Sequence, residues 1–291
     1  MVQGNVVPPA SFGPMSHALC RLAAGEHRTV VSYAARGIKN LVLDDSLRAQ
    51  AALAGIPAVL VEALRNWEEE VPCLREVLAA LQTLCGDKAT VMAVVDAGLV
   101  GPLTELLDAP DLELRLLATA TASNTLAFSD TLLLAKEACI DTFSEAMPEL
   151  LDSVKSNDST LRRYAIAAVS NACAHPVLAA RAEELGAVDV MREVVKSSRP
   201  SSFVMSIMGT GVSSAADCAG TALLRLTGSE EGDLEEVGAG GGGSQQRPRH
   251  HIFKWGAPPT VRLFVNSRTS RVKLGLFVVV WMCFVYRFLY V

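Results

Sequence analysis

The sequence predicts an all-α protein built as a stack of similar helical units. Three observations carry this. Half of the 291 residues are hydrophobic but only 5% are aromatic, so the apolar mass is Ala, Leu and Val, and two of these are strong helix formers. From Met15 to about Gly228 the apolar residues follow helical spacing, with no alternating run that argues for a strand. The chain also repeats itself. "AGIPAVLVEAL" (54–64), "AGLVGPLTELL" (97–107) and "LGAVDVMREVV" (185–195) place Gly55, Gly98 and Gly186 43 and then 88 residues apart. One further copy is therefore expected between the last two.

Each element follows from that period. Residues 1–14 carry Pro8, Pro9 and Pro14 and are predicted to be disordered. "AARGIKNLVLDDS" (34–46) reads as an early, incomplete copy of the segment between anchors. Fuller copies are "LREVLAALQTLCG" (74–86), "LRLLATATASNTLA" (114–127) and "LRRYAIAAVSNACA" (161–174), and "CAGTALLRLTG" (218–228) is a terminal one. The missing anchor is "CIDTFSEAMPELLDSV" (139–154), with a small insertion. There Cys139 is expected in the glycine's place and Leu150-Leu151 opposite Val194-Val195. Residues 197–217 fit the pattern least well and suggest a long loop or an irregular helix. Pro57 and Pro102 fall just past the Gly-centred break, where a helix start tolerates proline. One such unit cannot bury its apolar faces, whereas stacked units share a continuous core.

A period of 40–47 residues suits two kinds of α-solenoid. The Ala-Gly-apolar anchor, preceded by a helix like "KNL" or "SNA", resembles the armadillo repeat over about residues 27–228. The resemblance implies a right-handed α-solenoid of about four to five repeats, with no cofactor. It implies a scaffold or adaptor that holds an extended segment of a protein partner in its concave groove.

One small polar position recurs. Asn40, Thr83 and Asn171 each lie 15 residues before an anchor glycine, and Asn124 lies 15 before Cys139. The resemblance places them on the third helix of each repeat, lining the groove, where a primary amide matches the N–H and C=O of a peptide unit. The other role open to them is a bond to the neighbouring repeat. Import receptors of this family carry Trp one turn earlier. Here Arg36, Ala79, Ala120 and Ala167 stand there, so cages for lysine are missing. Arg36, Arg162 and Arg163 would favour acidic ligands.

Charge divides the chain. Residues 1–236 hold 18 Lys and Arg against 31 Asp and Glu, while 237–291 hold eight cations and no acid. An acidic body argues against nucleic acid as a partner. Seven cysteines with no CxxC spacing read as buried thiols in a reducing, cytoplasmic compartment. His17 with Cys20 and His250 with His251 lack further ligands at metal spacing. "GAGGGG" (238–243) lacks the strand and helix that flank a phosphate loop. Nothing pairs a nucleophile with a base, so the expectation is a monomeric, non-enzymatic protein.

The repeat domain is thus expected over 15–228, followed by an acidic, then Gly-rich and basic linker over 229–271. Residues 272–291 are a candidate transmembrane tail anchor. Leu274–Val291 would span about 27 Å as a helix, against roughly 30 Å of bilayer core. Arg268, Arg271 and Lys273 flank its cytosolic side. The alternatives are a segment that caps the array and a tail foreign to the natural product.

Overall fold

A computed structural model describes residues 9–67, 70–128, 137–197 and 215–227, with side chains from Gly13 onward. No strand occurs among them. The array opens with a partial unit, α1 (Pro9–Ala23) and α2 (Arg28–Leu41). Four three-helix units follow. The first is α3 (Asp45–Leu53), α4 (Ile56–Asn66) and α5 (Val71–Leu84). The second is α6 (Lys88–Asp96), α7 (Val100–Glu105, continued by a 3-10 turn to Asp108) and α8 (Leu112–Leu126). The third is α9 (Glu137–Glu145), α10 (Met147–Val154) and α11 (Ser159–Ala172). The fourth is α12 (Pro176–Glu184), α13 (Ala187–Ser197) and α14 (Ala215–Thr227).

The start of the array differs from expectation. Helix α1 begins at Pro9 rather than after residue 14, with Pro14 inside it. Proline six positions into a helix removes a single intrahelical bond, since the first turn has unpaired N–H groups in any case. Packing of α1 against α2 and α4 offsets that loss. The expected linker 229–271 and anchor 272–291 lie outside the described residues. Among those described, no single helix is long and apolar enough to cross a membrane.

Local chemistry sets the breaks. Asp44, Asp87, Asp111 and Asp158 cap α3, α6, α8 and α11 by accepting backbone N–H bonds in the first turn. Gly55, Gly98 and Gly186 all take left-handed backbone, with φ of 77°, 84° and 79°. Each sits between the first and second helix of its unit, where only glycine adopts this conformation without a Cβ penalty. The chain bends by 75° between α3 and α4, and by 94° between α6 and α7 with its 3-10 turn.

The third unit corrects the expected alignment. Cys139 lies in the first turn of α9, and Ala146 occupies the break, at φ −85°. The extra residues therefore precede α9 instead of lying within 139–150. Leu151 then corresponds to Met191, five residues past the break, as Leu60 and Leu103 do in their units, and all four are buried. A constant period would pair Leu150-Leu151 with Val194-Val195, and the extra residues ahead of α9 break that period.

The third helices stack side by side in the order α2, α5, α8, α11, α14. Their apolar stripes, such as Val31, Ala35 and Ile38 on α2 and Val77, Leu78 and Leu81 on α5, form the inner core. Along α8 and α11 the burial extends all round: every residue of 117–126 and of 164–173 is buried.

Candidate interaction surface

The recurring polar position sits near the C-terminal end of each stacked helix, where backbone carbonyls begin to run out of intrahelical donors, although the Ser123 carbonyl still accepts from the Ala127 N–H at 3.0 Å. Asn124 on α8 donates from Nδ2 to the Gln82 carbonyl of α5 at 3.2 Å. Asn171 on α11 donates to the Ser123 carbonyl of α8 at 3.0 Å. Both amides are 3% exposed. The acceptors are equivalent: each carbonyl belongs to the residue just before the polar position of the previous unit. The Gln82 carbonyl is free because its regular partner, the Gly86 N–H, bonds Thr83 instead.

A third rung falls on a residue that no spacing from an anchor glycine marks. Arg225 on α14 donates from Nη1 to the Ser170 carbonyl of α11. The Ala174 N–H bonds Asn171, leaving that carbonyl available. Aligning "LLRLT" with "VSNAC" would have put Arg225 opposite Asn171, but an arginine hides the equivalence with an amide. A cation at a helix C-terminus also suits the helix dipole.

The other expected groove residues behave differently. Thr83 is half-buried and its hydroxyl turns back to the Ala79 carbonyl at 2.9 Å in its own helix. Asn40 is exposed. Arg36 is exposed and pairs with Glu76 on α5, its guanidinium 5.8 Å from the Tyr33 ring centroid. Arg163 is half-buried and within electrostatic reach of Cys218 on α14. So Arg36 and Asn40 share an open N-terminal stretch, Asn124 and Asn171 share a closed central one, and Arg163 stands apart near the end.

The open stretch has a cavity of about 380 Å³ between α2 and α5, where Tyr33, Arg36, Pro72 and Glu76 meet. Its ion pairs also join successive units. Arg28 meets Glu70 at 2.9 Å, and Lys39 joins Arg36 on Glu76 at 3.4 Å. Further along, Arg75 bridges α5 to Asp111 and, at 2.8 Å, to Glu113 of α8. Burial pushes the Glu76 carboxyl up, but the Arg36 bond and the charges of Lys39 and Arg36 outweigh it and hold the group below its ordinary value. The Arg75 bond, then the Leu114 N–H, lowers Asp111.

What these elements define as a class is a helical-repeat solenoid whose third helices form one continuous inner layer. Neither a family model nor a curated protein matches the chain. Solved structures do. A designed armadillo repeat protein superposes with a TM-score of 0.60 at 21% identity, over 74% of this chain and 82% of that one. A second, in complex with the peptide (KR)4, gives 0.59 at 18% over the same shares. Computationally designed armadillo repeat proteins for modular peptide recognition give 0.60 at 19%, again over 74% and 82%. The fold is a right-handed α-solenoid of armadillo-like repeats.

Proposed function

We propose that this chain is a non-enzymatic scaffold that holds an extended segment of a protein partner along the inner layer of its repeats. The observation that carries this reading is the open N-terminal stretch of that layer, where Tyr33, at 53% exposure, stands beside Arg36 and the cavity shared with α5. An exposed aromatic next to a cavity and flanking charges is the chemistry of an anchoring pocket. The designed armadillo proteins of like fold, one with a bound (KR)4 peptide, lend it support.

The test is a selection of peptides from a random library against the full chain, followed by affinity measurements on Tyr33→Ala and Arg36→Glu variants. Binders seated on the inner layer lose about tenfold or more with either change. Binders indifferent to both would overturn the reading.

The apolar run Leu274–Val291 and its basic flank favour a second reading, in which the same scaffold is tethered to a membrane and recruits cytosolic partners. Fractionation of the full chain beside one ending at Gly238 separates the two. Recovery of both in the soluble fraction removes the tether.

A further inference from the structure

On the edge of the array, away from the stripe of Asn residues, a cleft of about 750 Å³ opens between the second and third complete units. It lies where the 3-10 turn and α8 of one unit face α10 and α11 of the next. Two of its polar atoms are buried without a hydrogen-bond partner: Nε of Arg115 and Oε2 of Glu149. Unpaired buried groups of either kind are unfavourable, more so when charged. Four carboxylates line the cleft, from Asp108, Glu149, Asp152 and Asp158, against two cations, Arg115 and Lys155.

The helix start at this edge would by itself attract an anion. That demand is already met, because Asp158 accepts the Thr160 and Leu161 N–H groups at 2.9 and 2.7 Å. Leu107 and Leu161 add apolar wall beside the charges, and Leu112 is 44% exposed nearby.

We infer that this cleft binds a basic residue in an extended segment of a partner protein. Its cationic head pairs with the carboxylates of Glu149 and Asp152, and its alkyl stem lies along the exposed Leu112. The net negative lining selects against acidic segments. This site is separate from the inner layer and does not depend on peptide binding there.

The experiment uses the full chain and two synthetic octapeptides, alternating Arg-Gly and alternating Glu-Gly, with affinity read by fluorescence anisotropy at physiological salt. The arginine peptide binds and the glutamate peptide does not. Glu149→Gln and Asp152→Asn each weaken the arginine peptide about fivefold. Asp189→Asn, an 88%-exposed carboxylate on α13, leaves it unchanged. Equal losses in Glu149→Gln and Asp189→Asn would reduce the effect to overall charge and overturn the site. Binding that appears only when residues 239–291 are removed would assign the cleft to the chain's own basic tail and overturn a separate partner. Unaltered circular dichroism melting in Glu149→Gln separates lost binding from lost fold.

Discussion

The amide of Asn171 donates to the Ser123 carbonyl across 3.0 Å, tying the third unit to the second through a bond that is buried on both sides. The same relationship joins Asn124 to Gln82 and Arg225 to Ser170. Removing Asn124 leaves the Gln82 carbonyl without a partner, an effect worth roughly 1–3 kcal/mol, whereas the Ser123 carbonyl keeps the Ala127 N–H when Asn171 is removed. Asn124→Ala is therefore expected to lower stability by that amount in urea denaturation, and Asn171→Ala by the net worth of one hydrogen bond, about 0.5–1.5 kcal/mol. Asn40→Ala, at the equivalent but exposed position, stays within about 0.5 kcal/mol of the parent. Equal effects at positions 40 and 171 would deny the bond its structural role.

The anchor glycines are not interchangeable. Gly55 and Gly186 need only left-handed backbone, since an added Cβ would meet nothing within 4 Å. At Gly98 it would lie 2.6 Å from Arg65 Nη2, which donates to the Gly98 carbonyl at 2.9 Å. Gly55→Ala carries the conformational penalty alone, about 1–2 kcal/mol. Gly98→Ala adds displacement of the Arg65 bond, up to roughly 1 kcal/mol more for an exposed guanidinium. Thermal melts of the two variants should rank Gly98→Ala below Gly55→Ala.

Much of this architecture was legible in the sequence because its signals are local. The three glycines needed left-handed backbone, and that need, repeated at a near-constant spacing, exposed the period. What failed was the assumption of constant period through the third unit. Ala146 does the turn at φ −85°, so no glycine marks it and a constant spacing points to Cys139 instead. The polar position recurs as a series, but only Asn124 and Asn171 of it bond across units, and with Arg225 their partners lie 42 to 55 residues away. A donor to a distant carbonyl and a donor to a ligand look alike in one dimension. The cleft at Arg115 and Glu149 left no sequence signal, because it is made by the junction of two units.

The surface ion pairs make the N-terminal units sensitive to acid and salt. Glu76 and Asp111 both have their carboxyls held below the ordinary value in the folded chain. Their stabilisation is thus complete above the unfolded carboxylate pKa of about 4 and is lost as pH falls through the lower folded value. Protection factors for hydrogen exchange in α2 and α5 should fall below about pH 4. Arg75→Gln should raise that exchange at neutral pH and remove much of its salt dependence. The buried bond of Asn171 and the part-buried one of Arg225 are screened less, so α11 and α14 should respond weakly to salt. Uniform acceleration along the array would contradict this division.

Buried thiols offer a direct clock for opening of the stack. Burial pushes Cys85, Cys173 and Cys218 up to about 12, on the inner helices or just past their ends. The reactive species is the thiolate, so at pH 8 these groups are almost wholly protonated as well as shielded. Cys20 and Cys139 are only half-buried. Iodoacetamide followed by peptide mass mapping should modify Cys20 and Cys139 well before the buried three. Asn171→Ala should then speed labelling of Cys173 more than that of Cys85, because it loosens the junction on which Cys173 sits. If Cys85 responds as strongly as Cys173, the units open together and the rung at Asn171 is not a local coupling.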